Sequence, residues 1–237
     1  MLQSEYLDVV QSRDPGEFRD QLTRFAKRLG FDHMAAMVVV DQPQSEPQFI
    51  SVENLPERYI ELFQDLGDVK LDPVMQHCKR QSVPIVWSQQ TYVAEGVMPK
   101  WEQQASFGLS TGIAMALHLP EGRHFVLGVM RDQALPASPG ELTRLVADVQ
   151  LFAVYAQDAA MRVLVAPELQ PERPKLTPRE LEALRWTMEG KTAWEVGTIL
   201  GISERTAVLH INNAMHKLGC VNKHQAVLKA LKLGLIG

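Results

Sequence analysis

The sequence predicts an α+β protein in which an α/β/α sandwich around an antiparallel sheet is followed by a small all-α domain of four helices. Three observations support this prediction. Helix and strand patterns alternate through residues 1–164, a proline-rich segment follows at 165–175, and residues 176–237 carry four short helical patterns in succession. A chain of 237 residues has room for one medium domain and one small one.

Composition places the chain among ordinary globular proteins. Hydrophobic residues make up 46% of the sequence and charged residues 22%, close to average usage. Cys78 and Cys220, the two cysteines, are far apart and show no Cys-x-x-Cys spacing, so neither a disulfide framework nor a zinc site is indicated. The sequence shows no secretory signal pattern and no apolar run of membrane-spanning length. We therefore expect a cytoplasmic protein without a membrane partner, a metal or a cofactor.

The first domain opens with a helix and continues through alternating strands and helices. Asp14-Pro-Gly-Glu17 combines an N-cap, a proline at the first helical position and an acidic residue, and Phe18, Leu22 and Phe25 follow at helical spacing. Buried strands are expected at 31–40, 84–87, 111–119 and 124–130, and helices near 57–66, 73–81 and 98–107. A second cap signature at Ser138 opens a long helix to about residue 162.

Composition changes at 165–175, which contains three prolines within eight residues. Proline removes a backbone donor and prevents a continuous helix, so this segment is expected to be an extended linker. From Pro174 onward nine basic residues outnumber five acidic ones, a net charge of +4, which leaves −8 on the preceding residues. A small basic module beside a larger acidic one is the balance that attraction to DNA phosphates favours. Chance scatter of charges is the alternative explanation.

Four helix-start signals follow one another in the C-terminal domain, at Thr177, Thr192, Ser203 and Asn222. Because each polar side chain can accept a hydrogen bond from a free helix amide, four short helices are predicted. Their expected ranges are 178–189, 193–200, 204–218 and 223–233.

The third of these helices has two faces of different character. An apolar stripe at Ala207, Ile211, Ala214 and Leu218 is expected to pack on Val196, Ile199 and Leu200 of the preceding helix. The opposite face presents Arg205, Val208, Leu209, Asn212 and His216. Two helices joined by a tight turn, the second exposing arginine and asparagine, are typical of a helix-turn-helix that reads the DNA major groove. A helical bundle with a solvated face is the alternative.

The C-terminal motifs resemble the DNA-binding domain of the LuxR/FixJ class. The matching residues include Leu176-Thr-Pro-Arg-Glu180, Glu189-Gly-Lys-Thr192, Ile199-Leu-Gly-Ile-Ser-Glu-Arg-Thr206 and Lys217-Leu218. The chain departs at Ala207-Val208, where members often carry valine followed by lysine or asparagine. The resemblance and the exposed face together predict DNA contacts at Lys191, Thr192, Arg205, Val208, Asn212, Asn213, His216 and Lys217.

The N-terminal motifs resemble the autoinducer-binding domain of LuxR-type receptors. The resemblance rests on Asn54-Leu-Pro56, Leu71-Asp-Pro73, Trp87, Trp101-Glu102 and the segment 108–112. It implies an acyl-homoserine lactone ligand, with Asp72 accepting a hydrogen bond from the ligand amide and Trp87 packing on the lactone ring. The ligand-binding residues predicted in this way are Tyr59, Phe63, Asp72, Val74, Trp87, Trp101, Ala114 and Gly128.

Several positions in this domain leave the identity of the ligand open. Tyr59 and Phe63 stand where the family usually has tryptophan and tyrosine donors, and Val74, Ala114 and Gly128 replace hydroxyl groups of some relatives, so a less polar pocket is expected. Alone, Asp72 before Pro73 would be read as a helix cap. The residues proposed for an acyl chain, which also fit an ordinary core, are Met34, Met37, Val74, Met75, Ala114 and Met115.

The sequence therefore predicts a quorum-sensing transcriptional regulator that binds an acyl-homoserine lactone and, as a homodimer, a palindromic site on double-stranded DNA. Candidate dimer surfaces are the long helix 138–162 and a strip formed by Val227, Ala230 and Leu231. One alternative is a receptor for a different apolar signal. The other is an acyl-lactone or amide hydrolase, which we reject because Gly-x-Ser-x-Gly and His-Glu-x-x-His are absent and the neighbours His77 and Cys78 point apart on a helix.

Overall fold

The computed structural model of the protein describes residues 4–41, 46–62, 71–165 and 174–237. Within these ranges the chain forms two compact units, one built from a sheet covered by helices and the other from four helices. Most of the predicted linker at 165–175 lies outside the described residues. At its two ends, the Val165 side chain is buried in the first unit and the Leu176 side chain packs into the second.

The first unit is organised around a five-stranded sheet in the order β2-β1-β5-β4-β3, with antiparallel pairing throughout. The strands are β1 (His33–Val40), β2 (Gln48–Glu53), β3 (Ile85–Trp87), β4 (Thr111–Leu119) and β5 (Arg123–Arg131). All four predicted strand segments lie in this sheet. The additional strand β2 lies at an edge and is half exposed, so it lacks the apolar pattern of a buried strand.

Helices cover both faces of this sheet. They are α1 (Ser4–Val10), α2 (Pro15–Arg28), α3 (Glu57–Leu62), α4 (Pro73–Arg80), α5 (Gln89–Ala94), α6 (Met98–Ala105) and α7 (Pro139–Val163). Helices α1, α2 and α7 pack on one face, and α3 to α6 lie against the other. The predicted α+β class with an α/β/α sandwich is confirmed. Neither α1 nor α5 is predicted from the sequence, because helices of seven and six residues show little periodicity.

Helix α2 begins as its cap signature predicts. The Asp14 carboxylate accepts a hydrogen bond from Glu17 N at 2.9 Å, and Phe18, Leu22 and Phe25 are buried. The Phe25 ring stacks on Phe152 of α7, with ring centroids 3.7 Å apart. The long helix α7 also begins at its predicted position, although within the described part of the chain the Ser138 side chain accepts no capping hydrogen bond.

The second unit consists of the four predicted helices, which are α8 (Pro178–Met188), α9 (Ala193–Leu200), α10 (Glu204–Lys217) and α11 (Lys223–Lys232). Each predicted cap is formed: the side chains of Thr177, Thr192, Ser203 and Asn222 each accept a hydrogen bond from the backbone amide three residues on. These caps fix where each helix starts, because they satisfy amides that have no partner inside the helix.

The turn between α9 and α10 depends on two glycines. Gly201 ends α9 with a φ of 67°, a left-handed conformation that glycine adopts without strain. A Cβ on Gly197 would lie 2.9 Å from Ile202 O and 3.1 Å from Glu204 N. Glycine at 197 therefore lets the following turn fold back closely onto α9.

Candidate functional site

A cavity of about 360 Å³ lies in the first unit, between the sheet and helices α3 to α6. Its volume is within the usual range of small-molecule sites. The cavity exists because small residues occupy one cross-strand row: Ala35 pairs with Gly128, and Gly128 pairs with Ala114. All three line the cavity. Larger side chains bound it along the strands, with Met130 and Trp87 in one neighbouring row and Met37 and Val126 in the other.

The Asp72 carboxylate both caps a helix and borders the cavity. Its Oδ1 accepts hydrogen bonds from Val74 N at 2.9 Å and Met75 N at 3.0 Å, at the start of α4. Its Oδ2 accepts a longer hydrogen bond, 3.3 Å, from the Tyr92 hydroxyl. The two interpretations of Asp72 are therefore compatible, because capping uses one oxygen and leaves the other beside the cavity.

Tyr92 and Gln104 extend the polar group at Asp72. The Tyr92 hydroxyl is also 3.3 Å from Gln104 Oε1, and both side chains are buried and line the cavity. Burial, reinforced by the charge of Asp72, raises the pKa of Tyr92, so its hydroxyl stays protonated and acts as a donor. Gln104 Nε2 is buried and has no hydrogen-bond partner among the described residues.

Trp87 forms the wall of the cavity next to this polar group. Its ring lies edge-on to the Tyr92 ring, with centroids 6.1 Å apart, and it crosses the paired residue Gly112 of β4. A Cβ on Gly112 would lie 2.8 Å from the Trp87 ring and would also clash with Val129 O. Glycine at 112 is therefore required for the position of the indole.

The structure brings together most of the predicted ligand-binding residues. Those that line the cavity are Tyr59, Asp72, Val74, Trp87, Ala114 and Gly128. Trp101 does not line it with them; its indole N–H donates to Ser110 O at 2.8 Å, which ties α6 to the start of β4. Phe63 lies outside the described residues.

The residues suggested for an acyl chain divide between the two faces of the sheet. Met37, Val74, Met75 and Ala114 line the cavity, as expected. Met34 and Met115 are instead buried among the side chains of the opposite face. The reason is strand alternation: neighbouring residues point to opposite faces, so Met34 and Met37, three apart, cannot share one.

Tyr92 and Gln104 are not predicted from the sequence. Tyr92 lies in the short helix α5, which has little periodicity to reveal it. Gln104 follows an exposed glutamine, Gln103, and resembles another solvated residue. The available signal was its spacing of three residues from Trp101, which places both on one side of α6.

His77 and Cys78 lack the properties that a hydrolase would need in a base and a nucleophile. His77 Nε2 lies 2.7 Å from Val83 O, a contact that occupies the ring with a backbone carbonyl. Burial, together with the charge of Asp72, raises the pKa of the Cys78 thiol to about 12. A buried neutral thiol is a poor nucleophile.

In the second unit, α10 has the two faces that the sequence predicts. Ala207, Ile211 and Ala214 are buried, and Val196 of α9 packs beside the first two. The exposed face carries Arg205, Val208, Leu209, Asn212, Asn213 and His216. The prediction that Ile199 packs against α10 is wrong, because its side chain is 44% exposed. Val196 and Leu200, four residues apart on one face of α9, make the contact instead.

Of the three other predicted DNA contacts, Thr192 and Lys217 have roles within the fold. Thr192 caps α9, with its hydroxyl donating to Glu195 Oε2 at 2.9 Å. Lys191 is half buried just before this cap. Lys217 Nζ donates to Glu180 Oε2 at 2.8 Å and so joins the end of α10 to the start of α8.

The predicted apolar strip on α11 is not continuous. Ala230 is fully buried in the core of the second unit, and Val227 packs partly against it. Leu231 is 40% exposed, and the residue beside it on the surface is Leu228, at 60%. The prediction is wrong for Ala230, because α11 uses Ala226, Ala230 and Leu233 for packing within the second unit.

Comparison with known proteins accounts for both units. Residues 14–160 match the autoinducer binding domain, and residues 174–230 match the bacterial regulatory proteins of the luxR family. The chain belongs to the LuxR family. This LuxR-family chain is 34% identical to the transcriptional activator protein SolR of Ralstonia nicotianae, over 99% of this chain and 98% of SolR.

Two further relatives cover nearly the whole chain. One is the HTH-type quorum sensing-dependent transcriptional regulator RpaR of Rhodopseudomonas palustris, 32% identical over 97% of this chain and 94% of RpaR. The other is the solved structure of SdiA in complex with octanoyl-rac-glycerol, with a TM-score of 0.73 and 26% identity, covering 98% of this chain and 93% of that one.

These findings confirm that the chain is a LuxR-family transcriptional regulator with an autoinducer-binding domain and a DNA-binding helix-turn-helix. They also confirm that it is a regulator rather than an enzyme. In the part of the chain that the structure describes, no helix is both long and apolar enough to cross a membrane.

Proposed function

We propose that this LuxR-family regulator binds an acyl-homoserine lactone in the cavity of its first unit and, as a dimer, a two-fold-symmetric DNA site. In this proposal residues 1–164 form the signal-binding domain, 165–175 the linker and 176–237 the DNA-binding domain. A regulator of bacterial transcription acts where the chromosome lies, so we propose a cytoplasmic location.

The observation that carries the proposal is Asp72 at the border of an otherwise largely apolar cavity. Among the described residues its Oδ2 accepts one hydrogen bond, from the Tyr92 hydroxyl, and the length of that bond, 3.3 Å, is long for an O–H donor. Asp72 is half buried, and a carboxylate oxygen that is withdrawn from water is costly unless a donor satisfies it. The amide N–H of an acyl-homoserine lactone is such a donor, and its hydrogen bond to a carboxylate would be charge-assisted.

The remaining walls suit the other parts of this ligand. Trp87 offers an aromatic surface to the lactone ring at the end of the cavity where Asp72 and Tyr92 lie. Away from Trp87 along the strands, Met37 and Val126 give the cavity an apolar end for the acyl chain.

For DNA, we propose that α10 enters the major groove. Arg205 and Asn212 are exposed on it and are suited to bidentate hydrogen bonds with guanine and adenine edges. Val208, Asn213 and His216 flank them, and Lys191 with the N-terminus of α9 at Thr192 would contact phosphate. Lys217 contributes less to DNA binding than these, because its ammonium group is engaged by Glu180.

Dimerisation is supported by exposed apolar residues on two helices. Leu151 and Val154 of α7 are 41% and 44% exposed, and Leu228 and Leu231 of α11 also face outward. Self-complementary patches of this kind produce two-fold dimers, which match palindromic DNA sites.

A second candidate signal is favoured by one specific observation. SdiA, 26% identical to this chain, has been solved with octanoyl-rac-glycerol. An acyl glycerol has no amide N–H, but its hydroxyl groups are donors for Asp72. Tyr59 at the cavity wall, in place of the tryptophan usual in the family, is compatible with a different head group.

The test is DNA binding by the full-length chain, measured by fluorescence anisotropy with no ligand, with acyl-homoserine lactones of increasing chain length, and with octanoyl glycerol. The proposal predicts that at least one lactone changes DNA affinity and that octanoyl glycerol acts more weakly at equal concentration. A response to octanoyl glycerol alone would replace the lactone by the second candidate. Failure of every lactone to bind or act would contradict the proposal.

A further inference from the structure

Gln104 is a polar residue of the cavity whose hydrogen bonding is incomplete among the described residues. Its side chain is 4% exposed, and Nε2 finds no partner among the described residues. A buried amide donor without an acceptor is costly, because it has lost its hydrogen bonds to water. Because Gln104 lines the cavity, an acceptor on a bound molecule would remove this cost.

The neighbours of Gln104 place it at the head-group end of the cavity. Gln104 Oε1 is 3.3 Å from the Tyr92 hydroxyl, and the same hydroxyl is 3.3 Å from Asp72 Oδ2. Gln104 and Asp72 are therefore close to each other, on two sides of one hydroxyl group. The Tyr92 ring also contacts Trp87 edge-on. The proposed function puts the amide N–H at Asp72 and the lactone ring on Trp87, and both lie beside Gln104.

Without a ligand, the Tyr92 hydroxyl lies between two acceptors. Tyr92 has one hydroxyl proton for two acceptors, Asp72 Oδ2 and Gln104 Oε1. A ligand N–H on Asp72 would allow Tyr92 to donate fully to Gln104. That would hold the amide plane of Gln104 and leave its Nε2 as a fixed donor at the cavity wall.

We infer that Gln104 is a specificity-determining residue that donates a hydrogen bond from Nε2 to an oxygen of the ligand head group, which in a homoserine lactone is a ring or carbonyl oxygen of the lactone. The inference rests on the proposed function and adds a donor to it. In this inference the additional polar group is supplied by α6, a helix of the covering layer, rather than by the sheet.

The experiment compares two ligands that differ only in head-group oxygen, octanoyl-homoserine lactone and N-cyclopentyl octanamide. Both keep the amide N–H and a five-membered ring, but the second has no ring acceptor. Equilibrium binding of each is measured to the full-length wild type, Gln104→Leu and Gln104→Met. Gln103→Leu, the same change at the exposed neighbouring glutamine, is the matched control.

We expect the wild type to prefer the lactone, and both Gln104 variants to lose about tenfold of that preference while binding the cyclopentyl amide as well as the wild type does. Gln103→Leu should retain the full preference. If the Gln104 variants bound both ligands more weakly by the same factor, Gln104 would only position Tyr92. That result would overturn the inference but not the proposed function. Absence of lactone binding to the wild type would overturn the proposed function and the inference with it.

Discussion

The two faces of the sheet are built from alternate residues of the same strands, yet one face is filled and the other leaves a cavity. On the filled face, Phe125, Leu127 and Val129 of β5 are each 1% exposed and pack against α2 and α7. On the other face, the intervening Val126, Gly128 and Met130 line the cavity. The strand thus serves the fold with one set of side chains and the ligand with the other.

Helix α10 repeats this division in the second unit. Ala207, Ile211 and Ala214 pack inside, while Arg205 and Asn212 remain exposed. In both units, the residues that stabilise the fold and those proposed to bind a partner alternate along one element. Substitutions at neighbouring positions should therefore have separable effects on stability and on binding.

The largest effect is expected on the filled face. Leu127→Ala removes a fully buried side chain and should lower the free energy of unfolding by about 2–5 kcal/mol, because it leaves a void in a packed core. Its neighbour Val126→Ala, on the cavity face, should lower it by less than about 1 kcal/mol. Urea denaturation of the full-length chain measures both values. Equal losses at the two positions would show that the faces do not differ as described.

The next effect concerns the ligand. Asp72→Asn keeps the cap of α4, since asparagine is as good an N-cap as aspartate, but it weakens the acceptor at the cavity. Lactone affinity should fall by about 30- to 150-fold, or roughly 2–3 kcal/mol. Glu53→Gln, at the other carboxylate near the cavity wall, is the control and should change affinity little. Similar losses in both variants would point to general electrostatics rather than to a hydrogen bond at Asp72.

A comparable or smaller effect is expected at the exposed face of α10. Arg205→Ala and Asn212→Ala should each weaken specific DNA binding by about 1–3 kcal/mol and relax the preference for one base pair. Lys191→Ala should weaken binding to all sequences alike and reduce its salt dependence. Titrations of DNA at several salt concentrations separate these outcomes. Unchanged sequence specificity in both α10 variants would contradict the proposal that this face of α10 contacts bases in the major groove.

The smallest effect concerns Lys217, which lies at the border between the two faces of α10. Burial raises the pKa of the Glu180 carboxyl, but hydrogen bonds from Lys217 Nζ and Thr177 N outweigh burial and hold the pKa below its ordinary value. A carboxyl whose pKa falls on folding stabilises the protein above its unfolded pKa, near 4.3, and this stabilisation disappears as pH falls through the folded value.

Lys217→Met should therefore destabilise the second unit by about 1 kcal/mol at neutral pH, and the difference from the wild type should shrink as the pH falls below about 4. Arg179→Met, which breaks an exposed ion pair with Glu182 on α8, is the control and should have little effect at either pH. Urea denaturation of each variant at neutral pH and below pH 4 measures these differences in stability. A difference that does not change with pH would mean that Lys217 acts by packing alone.

The second unit could be predicted closely because its signals are local. Each helix start depends on one capping side chain and an amide three residues away, as at Thr177 and Glu180, and the ends lie within a residue or two of prediction. The exposed face of α10 follows from the same periodicity. Ile199 shows the limit of this reasoning, because a helix of eight residues offers several apolar faces and only packing selects one.

The cavity could be predicted only in part because it depends on non-local contacts. Resemblance to a family located Asp72 and Trp87, but the cavity itself arises from the register that brings Ala35, Gly128 and Ala114 together. Strand alternation gives two sets of residues without saying which set faces the helices of the cavity, and Met34 and Met115 were assigned to the wrong one. The position of Gln104 at the cavity depends on how α6 packs, which the sequence does not give.

The most direct test of the central claim is to fill the space left by the small residues of the cavity face. Ala114→Leu adds three carbon atoms beside Gly128, in the row of small residues that lines the cavity, whereas Ala94→Leu makes the same change at an exposed position of α5. We predict that lactone binding to the full-length Ala114→Leu variant, measured by calorimetry, is lost while its thermal unfolding stays close to that of the wild type, and that Ala94→Leu binds normally. Unchanged lactone affinity in a folded Ala114→Leu variant would contradict the assignment of this cavity as the signal site.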